Sequence, residues 1–258
     1  LWIVLFGVGM RALVSGASAG TGVDYIGFML PGIAALSAMG GAIGGGMAWL
    51  DERGRGIVRE YLVAPIPRAS ILFGYVGSTL TKALFQALII FAFGIFMGAS
   101  ATLNLLGWLL GIALLVGYAA GFSGIALAIA SMTDNLMAYH AMIMLLNLPV
   151  LFLSNALYPL AAMPGWMQIG ALINPTSYLV DGMRQAVLGG TAELPMWLCL
   201  LVTFGFAALG LVASSRALAG MRAGLDDAAT CHLHGCGPGR RSAPAGVRGR
   251  GSRRGHEA

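Results

Sequence analysis

Charge is what this chain has least of. Only 10% of its 258 residues are Asp, Glu, Lys or Arg, against about 25% in a typical soluble domain. So little charge cannot cover a globular surface, and a soluble enzyme or binding module is excluded. Cysteine is also scarce: Cys199, Cys231 and Cys236 are too few for a disulfide framework. No G-x-x-x-x-G-K-[ST] phosphate loop occurs; "GGAIGGGMAW" lacks the lysine and lies in an apolar run. The chain is therefore not expected to hydrolyse ATP by itself. HExxH and GxSxG are missing too, and no paired carboxylates mark a pocket, so nothing supports a membrane enzyme. The chain opens on Leu1 inside an apolar run, with no basic leader. Its first span is expected to be truncated.

What is present is apolar: 58% hydrophobic residues and a mean hydropathy of +0.82. A bilayer core takes about 20 apolar residues per helix. On that measure we expect an all-α integral membrane protein with six spans, over 1–15, 28–49, 71–98, 103–130, 136–158 and 196–215. Lys and Arg collect on the cytoplasmic side of a membrane. Arg53, Arg55, Arg59 and Arg68 lie between spans two and three, and Arg216 and Arg222 follow span six. The opposite loops hold Asp24, Asp181, Arg184 and Glu193. Both termini are thus expected to be cytoplasmic. Trp49 is expected at the inner interface, and Trp108, Trp166 and Trp197 at the outer one.

Several residues sit awkwardly in this scheme. Arg11 lies near the outer end of span one. Lys82 lies within span three: that helix starts late, or Lys82 faces protein, water or a conduit. Span five holds Asn147, Pro149, Ser154 and Asn155; Pro149 should kink it, and the asparagines need partners in lipid. Interhelical hydrogen bonds or a substrate path both answer that need. Gly40/Gly44, Gly41/Gly45 and Gly117/Gly121 repeat at four-residue spacing and let helices approach closely. Residues 159–195 are too polar and Pro-rich to span. Two short interfacial or re-entrant helices broken at Asn174-Pro175 are expected there, with Asp181 and Arg184 paired at i,i+3.

From about 223 the chain is rich in Gly, Arg, Pro and Ala and is expected to be a disordered cytoplasmic tail. Cys231, His232, His234 and Cys236 fit no common zinc spacing. The net charge of +5 and the pI of 9.4 mostly describe this tail, so they are no argument for nucleic acid. Its arginines suit anionic lipid headgroups, but a bystander tail is the better reading.

The charges of the first half gather in one stretch, Asp51 to Arg68. Written as a helix, 51–62 puts Ile57, Val58, Tyr61 and Leu62 on one side and pairs Asp51 with Arg55. Gly54 and Gly56 each cost about 1 kcal/mol relative to Ala, so a supporting surface is needed. Pro65 and Pro67 end the element. Topology explains the arginines but not the acids, the apolar face or the prolines, and a cytoplasmic docking element is the better reading.

This stretch, "ERGRGIVREYLVAPIPR", resembles the segment after the second helix of ABC-2 type permeases, the membrane subunits of bacterial exporters. Glu52, Arg53, Gly56, Glu60, Leu62, Pro65 and Arg68 match. "FMLPGIAALSAM", with Pro31 and Gly32, resembles that family's second helix. "SNALYPLAAMPGWMQIGALINPTSYLVDGMRQAVLGG" resembles the segment between its fifth and sixth helices, through Ser154, Pro159, Pro164, Trp166, Asn174, Pro175, Tyr178, Asp181 and Arg184. The likeness covers about 20–222 and comes nearest to drug-resistance and nodulation-type permeases. The family's N-terminal interface helix and any counterpart of the Arg/Gly tail are not found in it.

The resemblance implies a dimer of permeases, with itself or a paralogue, bound to cytoplasmic ABC ATPases that hold ATP and Mg. The chain itself would bind no cofactor. Glu52, Arg53, Gly56, Glu60, Tyr61, Pro65 and Arg68 would couple to the ATPase. Pro159, Pro164, Trp166, Asn174, Pro175, Asp181 and Arg184 would form the outer gate. Lys82, Asn147, Pro149 and Asn155 are possible conduit residues. A bacterial inner-membrane exporter of drugs, lipids or glycans follows. The rivals are an ion-coupled secondary transporter, for which Lys82 is the one midplane candidate, and a non-transporting scaffold.

Overall fold

The computed structural model describes residues 25–58, 68–97, 104–133, 135–156, 163–189 and 194–233. Hydrogen bonds close most cheaply inside a helix when the surroundings are apolar, and among the described residues helices and turns are the regular structure. They are α1 (Tyr25–Gly54), α2 (Arg68–Phe96), α3 (Leu105–Met132), α4 (Leu136–Phe152), α5 (Gly165–Ile173), α6 (Pro175–Met183), a π-helical turn (Arg184–Leu188) and α7 (Met196–Leu233). Stretches of α1, α2, α3 and α7 are long and apolar enough to cross a bilayer. The run at 1–15 lies outside the described residues. The helix read over 136–158 ends at Phe152, where the Asn174 side chain takes carbonyls at its C-terminal end.

Helix α3 is the centre. Its buried residues run from Gly107 to Ser131, and α1, α2, α6 and the π-helical turn all pack on it. Small residues set the distances. A Cβ on Gly45 would stand 2.5 Å from Thr79, so α1 and α2 pass backbone against side chain. Gly121 and Gly210 bring α3 and α7 together so closely that a Cβ on Gly210 would overlap the Gly121 carbonyl. The Gly117/Gly121 face is thus used within one chain. Gly40 and Gly44 meet nothing within 4 Å.

The core has two apolar clusters. One joins Leu30, Ala38, Phe91, Leu115, Tyr118 and Val187. The other joins Trp49, Val58, Val76, Leu127 and Tyr139. Trp49 is a correction: expected at a lipid interface, it is 0% exposed and meets Tyr75 edge-on at 5.1 Å. Its neighbours on α2 and α3 enclose the ring before lipid can reach it. Residues 222–258 form a separate unit. Within that unit α7 continues to Leu233, beyond the start at 223 of the expected disordered tail; 234–258 lie outside the described residues.

Candidate functional site

Two polar clusters stand out, one at the 51–58 end of α1 and one around the two short helices. At the first, α1 does not stop where its apolar run stops. It carries Asp51, Glu52 and Arg53 in its last turn and breaks at Arg55–Gly56. Gly56 has φ 83, a left-handed conformation that glycine adopts without a Cβ penalty. The helix written over 51–62 is therefore interrupted, because Gly56 turns the chain before Ile57 and Val58 resume helical geometry.

Both sides of that turn are anchored. Arg53 donates to the carbonyls of Ser131 at 3.1 Å and Thr133 at 3.2 Å. These are the free acceptors at the C-terminal end of α3, where a cation is also favoured by the helix dipole. Tyr75 of α2 donates its hydroxyl to the Glu52 carboxylate. Val58 is 3% exposed and packs into the cluster around Trp49. Asp51 and Arg55 pair at 2.8 Å as the spacing implied, but both are open to solvent, so the pair contributes at most about 1 kcal/mol. Glu60, Tyr61 and Pro65 lie outside the described residues, as does the side chain of Arg68.

The second cluster is buried. Asp181 is 1% exposed and Arg184 7%, and their nearest charged atoms are 3.6 Å apart. Asp181 accepts from the Asn155 side chain at 3.2 Å and from the Leu194 amide at 2.9 Å. Arg184 donates to the Asn155 carbonyl at 2.8 Å and the Phe28 carbonyl at 3.3 Å. Its guanidinium lies 3.6 Å from the centre of the Phe28 ring, a cation–π distance. One ion pair thus joins the start of α1, the end of α4 and the α6–π-helical segment.

Asn174 joins two of these elements, the end of α4 and α6, through its side chain. Its Oδ1 accepts from Thr176 at 3.0 Å and caps α6, with Pro175 at the first helical position. Its Nδ2 donates to Val150 at 2.8 Å and Leu153 at 3.1 Å. Those carbonyls lie at the C-terminal end of α4, which the Asn174 side chain caps from outside the helix. Tyr118 and Thr176 hydroxyls meet at 2.9 Å and tie α6 to α3. Pro164 precedes α5, and its carbonyl takes the Met167 and Gln168 amides. Trp166, Ile169 and Ile173 on α5 are 71%, 63% and 78% exposed, so its apolar face points away from the chain. Pro159 lies outside the described residues.

The remaining polar span residues scatter. Lys82 is exposed on α2 and borders a groove between α1 and α2. Helix α2 begins at Arg68, so a late helix start does not account for it. Asn147 borders a separate small cleft against α1 and α3, and its Oδ1 is buried without a hydrogen-bond partner among the described residues. Pro149 lies inside α4 and is exposed. Asn155 belongs to the Asp181–Arg184 cluster. Sequence reasoning missed Phe28, Tyr75, Tyr118 and Thr176 as partners, since their spacings from the charged residues carry no local signal.

Comparison with known proteins falls on the same segments. A family model described as ABC-2 type transporter matches residues 1–188. The protein ycf38 of Porphyra purpurea, named provisionally as a transport permease, is 33% identical over 186 residues, covering 71% of this chain and 63% of its own. The inner membrane transport permease YadH of Escherichia coli is 26% identical over 196 residues, covering 74% and 72%. A Mycobacterium tuberculosis protein named provisionally as the doxorubicin resistance permease DrrC is 28% identical over 183 residues, covering 67% and 64%. The chain spans under two thirds of the length of the ycf38 relative. With its apolar helices and these relatives, the chain is a multi-pass membrane protein, and it belongs to the ABC-2 type transporter family.

Proposed function

We propose that this chain is the membrane subunit of an ATP-driven exporter, working with a separate cytoplasmic ABC ATPase and a second permease copy or paralogue. The ATPase holds the ATP and Mg; the permease moves a lipophilic drug, lipid or glycan-type molecule out of the cytoplasm of a bacterial cell. The observation that carries this reading is the anchored turn at Arg55–Gly56. A push on that turn reaches α3 through the two Arg53 hydrogen bonds, α2 through Tyr75 and the core through Val58. A partner gripping residues 52–68 would tilt three helices together. Nucleotide then acts by favouring one permease conformation over another.

At the other end, Asn174 and the Asp181–Arg184 pair fasten the short helices to α1 and α4, and the exposed α5 moves with them as an outer gate. The relative named for doxorubicin resistance favours a lipophilic cargo. An ion-coupled carrier would place titratable groups along its path; its one midplane candidate, Lys82, lies on an exposed face of α2, and the buried acid Asp181 is fastened to Asn155, Arg184 and Leu194. The test is ATP-driven transport in vesicles containing the full-length permease and its ATPase. Glu60→Ala combined with Arg68→Ala is expected to cut transport by about 5- to 150-fold, the range of a 1–3 kcal/mol coupling. ATPase abundance and permease insertion should be unchanged. Undiminished transport in that variant overturns the reading.

A further inference from the structure

Along the side of α2 that faces away from the core, the surface changes character at Lys82. Ser70, Gly74, Ser78 and Lys82 recur every four residues and all are exposed, so they line up along the helix. Beyond Lys82 the same line continues as Phe85, Ile89 and Phe93, which are 66%, 52% and 60% exposed. The polar half is roughly 18 Å long at the helical rise of 1.5 Å per residue. It borders a groove of about 510 Å³ whose other wall is α1, where Gly45 and Ala48 leave it open and Glu52 stands at one end.

Hydrocarbon offers no hydrogen bonds, so a row of polar side chains on a membrane helix marks contact with something polar. A lysine in that row asks for an anion. Helical side chains lean toward the helix N-terminus, which carries the ammonium back over Ser78 into the polar half. No ion pair among the described residues reaches Lys82. A second copy of the chain offers little to answer it. Among the described side chains, Asp51 is paired with Arg55, Asp181 is buried, and Glu52 accepts from Tyr75 at the far end of this same groove.

We propose that this groove is a lateral binding site for the phosphate headgroup of an anionic membrane lipid. Lys82 supplies the counter-charge, and the Ser78 hydroxyl, one turn away on the same line, supplies a hydrogen bond to a phosphate oxygen. The acyl chains lie along Phe85, Ile89 and Phe93. The order of the stripe, polar then cationic then apolar, is the order of such a molecule from head to tail. This goes beyond the exporter reading: it needs the helices to lie in a bilayer, and no transport cycle.

The full chain is placed in phosphatidylcholine vesicles with a minor fraction of phosphatidic acid bearing a photoactivatable group near its head. Parallel vesicles carry phosphatidylcholine with the same group. After illumination without nucleotide or partner, labelled peptides are mapped. The acidic probe is expected to label residues 70–93 several-fold more than the neutral probe. Lys82→Met should reduce that labelling to the neutral level, and Lys82→Arg should keep it. Equal labelling by both probes, or undiminished labelling of Lys82→Met, overturns the proposal. Should Lys82→Met insert poorly, Ser78→Phe fills the groove with the lysine in place; loss of labelling supports the site and retention overturns it. Disulfide cross-linking of Ser78→Cys to a second copy also overturns it, because the groove is then covered by protein.

Discussion

Asp181 and Arg184 are nearly sealed from solvent, and both are held by hydrogen bonds from other elements. Removing one partner of a buried pair leaves the other charge uncompensated, at a cost of about 3–5 kcal/mol. Asp181→Asn and Arg184→Met are each expected to lower unfolding stability in detergent micelles by that amount. The double variant is expected to cost less than the sum of the two, since neither charge is then stranded. Additive losses in a denaturant titration would show that the pair is not the unit of stability. The pairing itself was legible, because i,i+3 spacing on a helix brings two side chains together whatever the fold. Asn155 and Phe28 as partners were not, since their contacts exist only once α1, α4 and α6 are packed. Lys82 and Asn147 show the same limit: a polar residue in a span announces a need, and packing alone decides how it is met.

At the scale of elements, helix contact is set by which glycines face a neighbour. Gly210 lies against the Gly121 carbonyl of α3, while Gly40 and Gly44 on α1 have open space. Gly210→Val should therefore force α3 and α7 apart, costing about 1–3 kcal/mol as overpacking does. Gly40→Val should leave the fold of a single chain unchanged. Thermal unfolding of the two purified variants separates these outcomes, and equal loss in both would contradict the packing described. The sequence spacing identified both glycine faces but did not say which was in use. Helix ends were the other weak point. Helix α1 runs on through Gly54 and α4 stops at Phe152; Arg53 and the Asn174 side chain reach helix ends far away in sequence. The break at Asn174-Pro175 was legible, since Pro175 at the first helical position and an Asn cap before it are local signals.

For the molecule as a whole, membrane class and family were legible because they rest on composition and on three ordered motifs. The mechanical arrangement was not. Only the fold shows that the end of α1 is fastened at once to α2, to α3 and to the core; the proposed function makes that charged loop a lever. That lever is the central claim, and Arg55 is the place to test it, being exposed on the turn itself. A photo-crosslinking residue substituted at Arg55 in the full-length protein, activated in intact cells, reads its neighbour directly. The account predicts an adduct with a cytoplasmic protein carrying the G-x-x-x-x-G-K-[ST] motif. It is contradicted if no such adduct forms and a cysteine at the same position reacts with a membrane-impermeant reagent applied from outside the cell.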